Sequence, residues 1–225
     1  MNNNVFINCP FDEAYRDCFE AILFTVTIAG YSAHCALEEG DSGDIRFDKL
    51  CRLILKSDLT IHDLSRTELG RTGLPRFNMP LELGLTLGAK RFGPEPQTAK
   101  RLLIMVAKPF EMPQYLSDLG GNDPQSHASK PDEVVRIVRD YLHETPDGEM
   151  LPGPSHLQAL FATFRRNLPS MAKRSLLRAS EAHPFGSYRN YMGLLRPFVE
   201  GIRNMPGRQP PSRKRRSNMR GRRSS

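Results

Sequence analysis

The run of residues 102–107 constrains the fold most strongly, because every position in it is apolar. A strand that is apolar on both faces must be covered on both faces, which is typical of the parallel sheets of α/β proteins. Shorter strand-like runs lie at residues 5–9, 31–37 and 59–64, and amphipathic helical segments alternate with them. This alternation predicts an α/β fold with a doubly wound parallel sheet and right-handed crossovers.

The helical segments show clear start and stop signals. The first begins at Asp12 and is expected to end at Gly30, a natural helix terminator. Another begins at Asn78, which is expected to cap it, and carries Gly84 and Gly88 four residues apart. Because a glycine inside a helix costs about 1 kcal/mol relative to alanine, we expect these two glycines to mark close approach to the sheet or to another helix.

The predicted strand order alone indicates where a ligand would bind. The common strand order 2-1-3-4 puts the switch point between the first and third strands. Their carboxyl ends are residues 8–11 and 62–65. Open α/β sheets bind ligands in the crevice at such a point, so we expect a small-molecule site there.

The chain divides into three parts. Residues 1–146 carry the alternating pattern, residues 151–204 show only helical spacing, and residues 205–225 are rich in Arg, Pro and Ser. We therefore expect an α/β domain, then a helical appendage that serves as a packing or homo-oligomer surface. The last segment is expected to be a disordered basic tail.

The net charge of +7 comes from the C-terminal end. Nine of the 32 Lys and Arg residues lie in residues 201–225, so residues 1–200 hold 23 basic and 25 acidic residues, or about −2. The body is therefore not a basic nucleic-acid domain. The tail either contacts nucleic acid or another anionic surface weakly, or is a solvated segment without a partner.

Several classes of site and location are disfavoured. The four cysteines form no CxxC pair, and the histidines lack zinc-ligand spacing, so we expect reduced cysteines, no metal and no cofactor. No Walker, GxSxG or GxGxxG sequence occurs. No apolar run approaches the roughly 20 residues that span a bilayer, and residues 1–4 lack a basic signal-peptide start. A cytoplasmic location without membrane contact is expected.

Glu82 is the leading candidate for chemistry. It lies between two leucines near the start of the helix that begins at Asn78, at the edge of the expected crevice. Burial would raise its pKa, and a carboxylate there can attack or stabilise a sugar anomeric centre with oxocarbenium character. The alternative is an ordinary acid in the first turn of a helix, worth about 0.3–1 kcal/mol.

The strand ends supply the other candidates. Asp63 either holds ribose hydroxyls and acts as an acid/base partner for Glu82, or hydrogen-bonds the amides of the following loop. Asn8 and Phe11 offer an amide and a stacking face to a base, although a polar strand end followed by proline explains them almost as well. The expected substrate-binding set is Asn8, Pro10, Phe11, Ser65 and Asn78.

Two stretches resemble a known family. Residues 58–65 read DLTIHDLS, and residues 78–90 read NMPLELGLTLGAK. They resemble the ADxxIADLS strand and the NPNVxxELGxAxxxxK helix of nucleoside 2-deoxyribosyltransferases and related TIR-like domains. The opening residues 5–11, VFINCPF, are similar to the first strand and substrate-contacting loop of that family. The resemblance covers roughly residues 4–107.

The resemblance implies a flavodoxin-like fold and cleavage of an N-glycosidic bond, with Glu82 at the catalytic glutamate and Asp63 at a matching site position. Two departures matter: a long loop separates strand from helix, and residues 78–80 differ from Asn-Pro-Asn. Since no acceptor-binding feature of a transferase is identifiable, a hydrolase of a nucleotide such as NAD, or of a nucleoside, is favoured. By analogy alone, the resemblance also suggests an effector in bacterial immunity. The alternative is a non-catalytic nucleotide-sensing or TIR-like assembly module.

Overall fold

The structure, a computed structural model, describes residues 3–38, 43–66, 76–109, 114–119, 121–145 and 150–204. Its centre is a five-stranded, all-parallel sheet in the order β2-β1-β3-β4-β5. The strands are β1 (Asn4–Asn8), β2 (Ser32–His34), β3 (Leu59–Asp63), β4 (Arg101–Val106) and β5 (Gln125–Ser126). The predicted flavodoxin-like α/β fold and the 2-1-3-4 order are confirmed, so the switch point lies between β1 and β3.

Helices cover both faces of the sheet. The α-helices are α1 (Arg16–Ile28), α2 (Arg46–Lys56), α3 (Asn78–Phe92), α4 (Pro131–His143), α5 (Pro154–Arg174) and α6 (Tyr188–Arg203). Short 3-10 turns lie at Glu13–Tyr15, Gln97–Ala99, Gln114–Leu119 and Ala179–Glu181. Because alternate residues of a strand point to opposite faces, each strand contributes to two separate layers of core.

The two faces of the sheet pack against different helices. Odd-numbered residues of the central strands, such as Ile7 and Ile61, join the core cluster that contains α1 and α4. Even-numbered residues face α2 and α3, as Phe6 does when it packs with Leu50, Leu53 and Ile54. β3 pairs with β1 on one side and with β4 on the other. This pairing fixes the positions of the site residues relative to both neighbouring strands.

The predicted C-terminal helices are present and form a second layer over α1 and α4. Phe161 and Phe164 of α5, together with Tyr191 of α6, belong to the same hydrophobic cluster as the sheet. Phe164 contacts Phe24 of α1 at a ring-centroid distance of 6.2 Å. The C-terminal helices therefore share the core of the α/β domain. The predicted disordered tail, residues 205–225, lies outside the described residues.

Several local predictions are corrected by the structure. Phe77 occupies the N-cap position of α3, and Asn78 is its first helical residue, so Asn78 is not the cap. Glu82 is consequently in the second turn and gains less from the helix dipole than expected. The predicted close approach at Gly84 and Gly88 is wrong, since a Cβ at either position would meet no atom within 4 Å.

Two strands also differ from their predicted extent. The second strand is shorter than the apolar run at residues 31–37, because the chain turns away after His34. The fifth strand was not predicted, since its two residues are too short to show a period. In the part of the chain described, no helix is long and apolar enough to cross a membrane.

Two glycines offer a direct test of the local backbone. Gly30 has φ +83°, and an added Cβ would lie 2.8 Å from Nη1 of Arg203, which donates to the Ile28 carbonyl. We expect Gly30→Ala to lower the free energy of unfolding by about 1–2 kcal/mol, since L-residues pay this for a left-handed conformation. Gly84→Ala is the matched control and should raise it by about 0.5–1 kcal/mol. Equal urea midpoints for the two variants would contradict the assignment.

Candidate functional site

The carboxyl ends of β1 and β3 lie next to each other, as the register Asn8 to His62 shows. Residues after β1 lead into the turn Glu13–Tyr15, and residues after β3 lead towards α3. The polar residues of these two connections converge at the switch point. The side chains there fall into two groups, one on each face of the sheet.

Asp63 is the centre of the group that faces α1 and α4. Its side chain is 0% exposed and accepts hydrogen bonds from the Tyr15 hydroxyl and, at 2.8 Å, from the Ser65 backbone N–H. His127 Nε2 lies 2.9 Å from Asp63 Oδ2. Burial alone would raise the pKa of Asp63, but the hydrogen bonds from His127, Ser65 and Tyr15 hold it below its usual value.

The hydrogen bonds of His127 exclude a serine–histidine–aspartate relay. Its Nδ1 accepts the Ser129 N–H at 3.1 Å, so the proton lies on Nε2 and is directed at Asp63. Ser65 Oγ lies 3.1 Å from the same Nε2. A nucleophile and an orienting carboxylate would have to use different ring nitrogens. Ser65, Asp63 and His127 therefore form a buried structural network.

The structure thus favours the alternative interpretation of Asp63, in which it bonds the amide of the following loop. Its neighbour His62 points to the opposite face, where α3 and Glu82 lie. Asp63 is engaged by Tyr15, Ser65 and His127 on the face opposite to His62. We therefore treat Asp63 as a residue that positions the loop, and not as an acid/base partner of Glu82.

Asn8 holds the second group in place. Its side-chain amide donates to the Met79 carbonyl at 2.8 Å and lies 3.0 Å from His62 Nδ1. Because the amide donates both protons, His62 Nδ1 accepts one and Nε2 carries its own proton, which has no partner among the described residues. Burial lowers the pKa of His62 to about 3, which keeps it neutral. Asn8 therefore joins β1, β3 and the start of α3, and is buried behind the crevice.

Glu82 is the exceptional carboxyl of this group. Its side chain is only 5% exposed, and no described residue hydrogen-bonds to it. Burial raises the pKa of Glu82 to about 7, and the charge of Arg46, at the start of α2, works in the opposite direction. A carboxyl that is half ionised near neutrality, and unbonded within the described protein, is available to a ligand.

The remaining predicted residues lie near the carboxyl edge of the sheet, but they differ in how far they are buried. Phe11 is half-buried and packs edge-on against Phe19 at 5.3 Å and Phe185 at 6.4 Å, so its ring belongs to an aromatic cluster. Pro10 is buried beside it, whereas Asn78 is exposed at the start of α3. Of the predicted binding set, Asn78 is the residue most open to a ligand.

Sequence reasoning did not identify a charged cluster at the mouth of the crevice. Asp12 Oδ2 lies 3.0 Å from Arg66 Nε and 2.5 Å from Arg76 Nη1. Burial tends to raise the pKa of Asp12, but the hydrogen bonds from Arg76 and Arg66 lower it overall. The arginines are 54 and 64 residues from Asp12, and no local pattern connects them. Two half-exposed guanidinium groups on one carboxylate leave a net positive charge there.

The described side chains are not arranged as a metal site. Within the described ranges, no group of three or more His, Cys, Asp or Glu residues is arranged to hold a metal ion. Burial raises the pKa of the Cys9, Cys18 and Cys35 thiols, which makes them poor nucleophiles and poor ligands. The polar chemistry of the crevice therefore centres on Glu82 and Arg46.

A comparison with known proteins finds no matching family model and no curated protein with significant sequence similarity. The function is therefore inferred from the residues of the site and from their geometry.

The role of Asp63 can be tested through stability. Because its pKa is lower in the folded state than the roughly 3.9 of an unfolded aspartate, its stabilisation is present above pH 4 and is lost as the pH falls through the folded value. We expect Asp63→Asn to lower the free energy of unfolding by about 1–3 kcal/mol at pH 7. The difference from wild type should shrink in urea titrations below pH 4.

The exposed Asp48→Asn is the control for the charge change and should alter stability by less than about 1 kcal/mol, the most that an exposed acid in the first turn of a helix contributes. If Asp63→Asn unfolds at the same urea concentration as wild type at pH 7, Asp63 does not stabilise the buried network that it forms with Ser65 and His127.

Proposed function

We propose that the protein is an N-glycosidase that cleaves the base–ribose bond of a nucleotide, such as NAD, or of a nucleoside. The observation that carries this proposal is Glu82, a buried carboxyl with a pKa near 7 at the switch-point crevice, with no hydrogen-bond partner among the described residues. The resemblance of residues 78–90 to a family that uses a glutamate at this position supports the same assignment.

The chemistry follows from the ionised form of Glu82. As the C1′–N bond breaks, its electron pair leaves with the base and positive charge develops on the ribosyl centre. The Glu82 carboxylate stabilises this charge or forms an ester with C1′. Water then adds hydroxide to C1′ and releases its proton. Nicotinamide leaves NAD as a neutral base, so that proton goes to solvent, whereas a departing purine or pyrimidine base takes up a proton. No redox step or cofactor is required.

In this proposal the other residues hold Glu82 and the substrate in position. Asn8 fixes the first turn of α3 through the Met79 carbonyl, and thereby sets the direction of the helix that carries Glu82. Asp63 and Ser65 hold the connection that follows β3. Asn78 is exposed at the start of α3, and in this proposal its amide hydrogen-bonds the substrate, while the buried Pro10 shapes the connection that follows β1.

The charge at the entrance favours a phosphorylated substrate. Arg66 and Arg76 are 40% and 43% exposed at their side chains, and each uses one of its N–H donors on Asp12. Guanidinium groups bind phosphate through several N–H donors at once. A nucleotide phosphate would use the donors that Asp12 does not engage. This favours nucleotides over nucleosides in the proposed reaction.

The first test is base release by purified protein. We incubate it at several concentrations with NAD and with matched nucleoside and nucleotide pairs, and quantify free base by chromatography. Wild-type protein should release base, and faster from the nucleotide of each pair. Glu82→Gln should lower the rate at least 1,000-fold, because an amide cannot supply the negative charge.

Asp48→Asn removes an exposed carboxylate on α2 and should retain wild-type rates. Release by Glu82→Gln at the wild-type rate would refute the assignment. Tight nucleotide binding without release of base at any protein concentration would instead support the nucleotide-sensing alternative.

The pH profile tests the environment of Glu82. Since the reaction needs the carboxylate and its pKa is about 7, kcat/KM should fall as the pH drops below 7 and reach a plateau above it. Arg46 favours the charged form, so Arg46→Gln should move the midpoint to higher pH. An unchanged or lower midpoint in Arg46→Gln, measured with the best substrate of the panel, would show that another group controls the profile.

A further inference from the structure

A second cavity lies away from Glu82, between α1, the C-terminal half of α5 and the connection from α5 to α6. Its volume is about 610 Å³, within the range of small-molecule sites. The apolar floor is formed by Leu168, Ala172, Leu177 and Ala182, which are buried or half-buried, while the exposed Pro169, Leu176 and Ala179 lie at the rim. Such a floor favours the hydrocarbon part of a ligand.

The wall of this cavity carries an excess of positive charge. Arg16, Arg165, Lys173 and Arg178 line it, and Glu20 is the sole carboxyl among the lining residues. Arg16 and Arg165 are already engaged outside it, Arg16 with Glu13 at 2.5 Å and Arg165 with Asp17 at 2.7 Å.

Lys173 and Arg178 differ from these two arginines. Both are exposed at the entrance, and within the described chain neither cationic group forms an ion pair. The Glu181 carboxylate lies near Arg178, but it accepts the Arg178 backbone N–H at 2.8 Å. Two cationic groups that form no ion pair, next to an apolar floor, can hold an acidic group through charge-assisted hydrogen bonds.

The inner end of the cavity is polar but incompletely bonded. Glu20 is 4% exposed, and its nearest cation is Arg165, whose Nε lies 3.5 Å from Oε2. Burial raises the pKa of Glu20 to about 7, although the charge of Arg165 lowers it. Glu20 therefore contributes less than a full negative charge at neutral pH, so the wall stays cationic.

We propose that this cavity binds a small amphipathic anion, a molecule with one acidic group and an apolar body. The acidic group pairs with Lys173 and Arg178 at the entrance, and the apolar body covers the floor that includes Leu168 and Ala172. Removal of that floor from water supplies the non-polar part of the affinity. The site is separate from the proposed glycosidase site, and its occupancy does not depend on that activity.

Calorimetric titration of the full chain with octanoate, 1-octanol and acetate tests both halves of the ligand. We expect saturable one-to-one binding of octanoate, at least tenfold weaker binding of octanol, and none of acetate. Fluorescence of 8-anilino-1-naphthalenesulfonate provides a second anionic probe that octanoate should displace. Absence of saturable binding of both probes, or equal affinity for octanoate and octanol, would overturn the proposal.

The double variant Lys173→Glu/Arg178→Glu should weaken octanoate binding at least tenfold. Arg91→Glu/Lys130→Glu makes the same change in charge at exposed positions on α3 and before α4, and should bind as wild type. Circular dichroism spectra confirm that each variant is folded. Equal losses in the two double variants would show that only net charge matters, which contradicts a site at Lys173 and Arg178.

Discussion

The buried carboxylate of Asp63 is the interaction on which the carboxyl edge of the sheet depends. It takes hydrogen bonds from Tyr15 before α1, from Ser65 after β3 and from His127 before α4. Three connections that are distant in sequence are thereby fixed to one strand end. A buried ion is tolerated only when its lone pairs are satisfied, and here the partners meet that condition. The same saturation removes Asp63 from substrate chemistry.

Because side chains alternate along β3, the structural carboxylate of Asp63 and the proposed reactive carboxyl of Glu82 belong to opposite faces of the sheet. Asp63 faces the layer of α1 and α4, which α5 and α6 cover in turn, while His62 faces α2 and α3. The first face is sealed by two layers of helices. The second has one layer, which contains Glu82, a buried carboxyl that no described residue bonds. One face thus gives the fold its rigidity, and the other holds a carboxyl without a protein partner among the described residues.

Local periodicity, combined with the common strand order of such folds, was sufficient to predict the sheet order and the position of Gly30. It was insufficient where a property depends on contacts between distant residues. The Asp12 cluster joins arginines from beyond β3, and His127 approaches Asp63 from a short strand that shows no period. The sequence allowed two roles for Asp63, and only its three-dimensional partners distinguish them.

Glu82 and Glu20 show why a raised pKa does not by itself identify a catalyst. Burial raises both values to about 7, and each carboxyl has an arginine nearby. Glu20, however, lies in a cavity with an apolar floor and a cationic wall, away from the switch point. Glu82 lies at the carboxyl edge of β1 and β3, where the sheet topology opens a crevice. Since burial raises the pKa of both, position in the fold is what distinguishes Glu82, proposed for bond cleavage, from Glu20, proposed to line a ligand site.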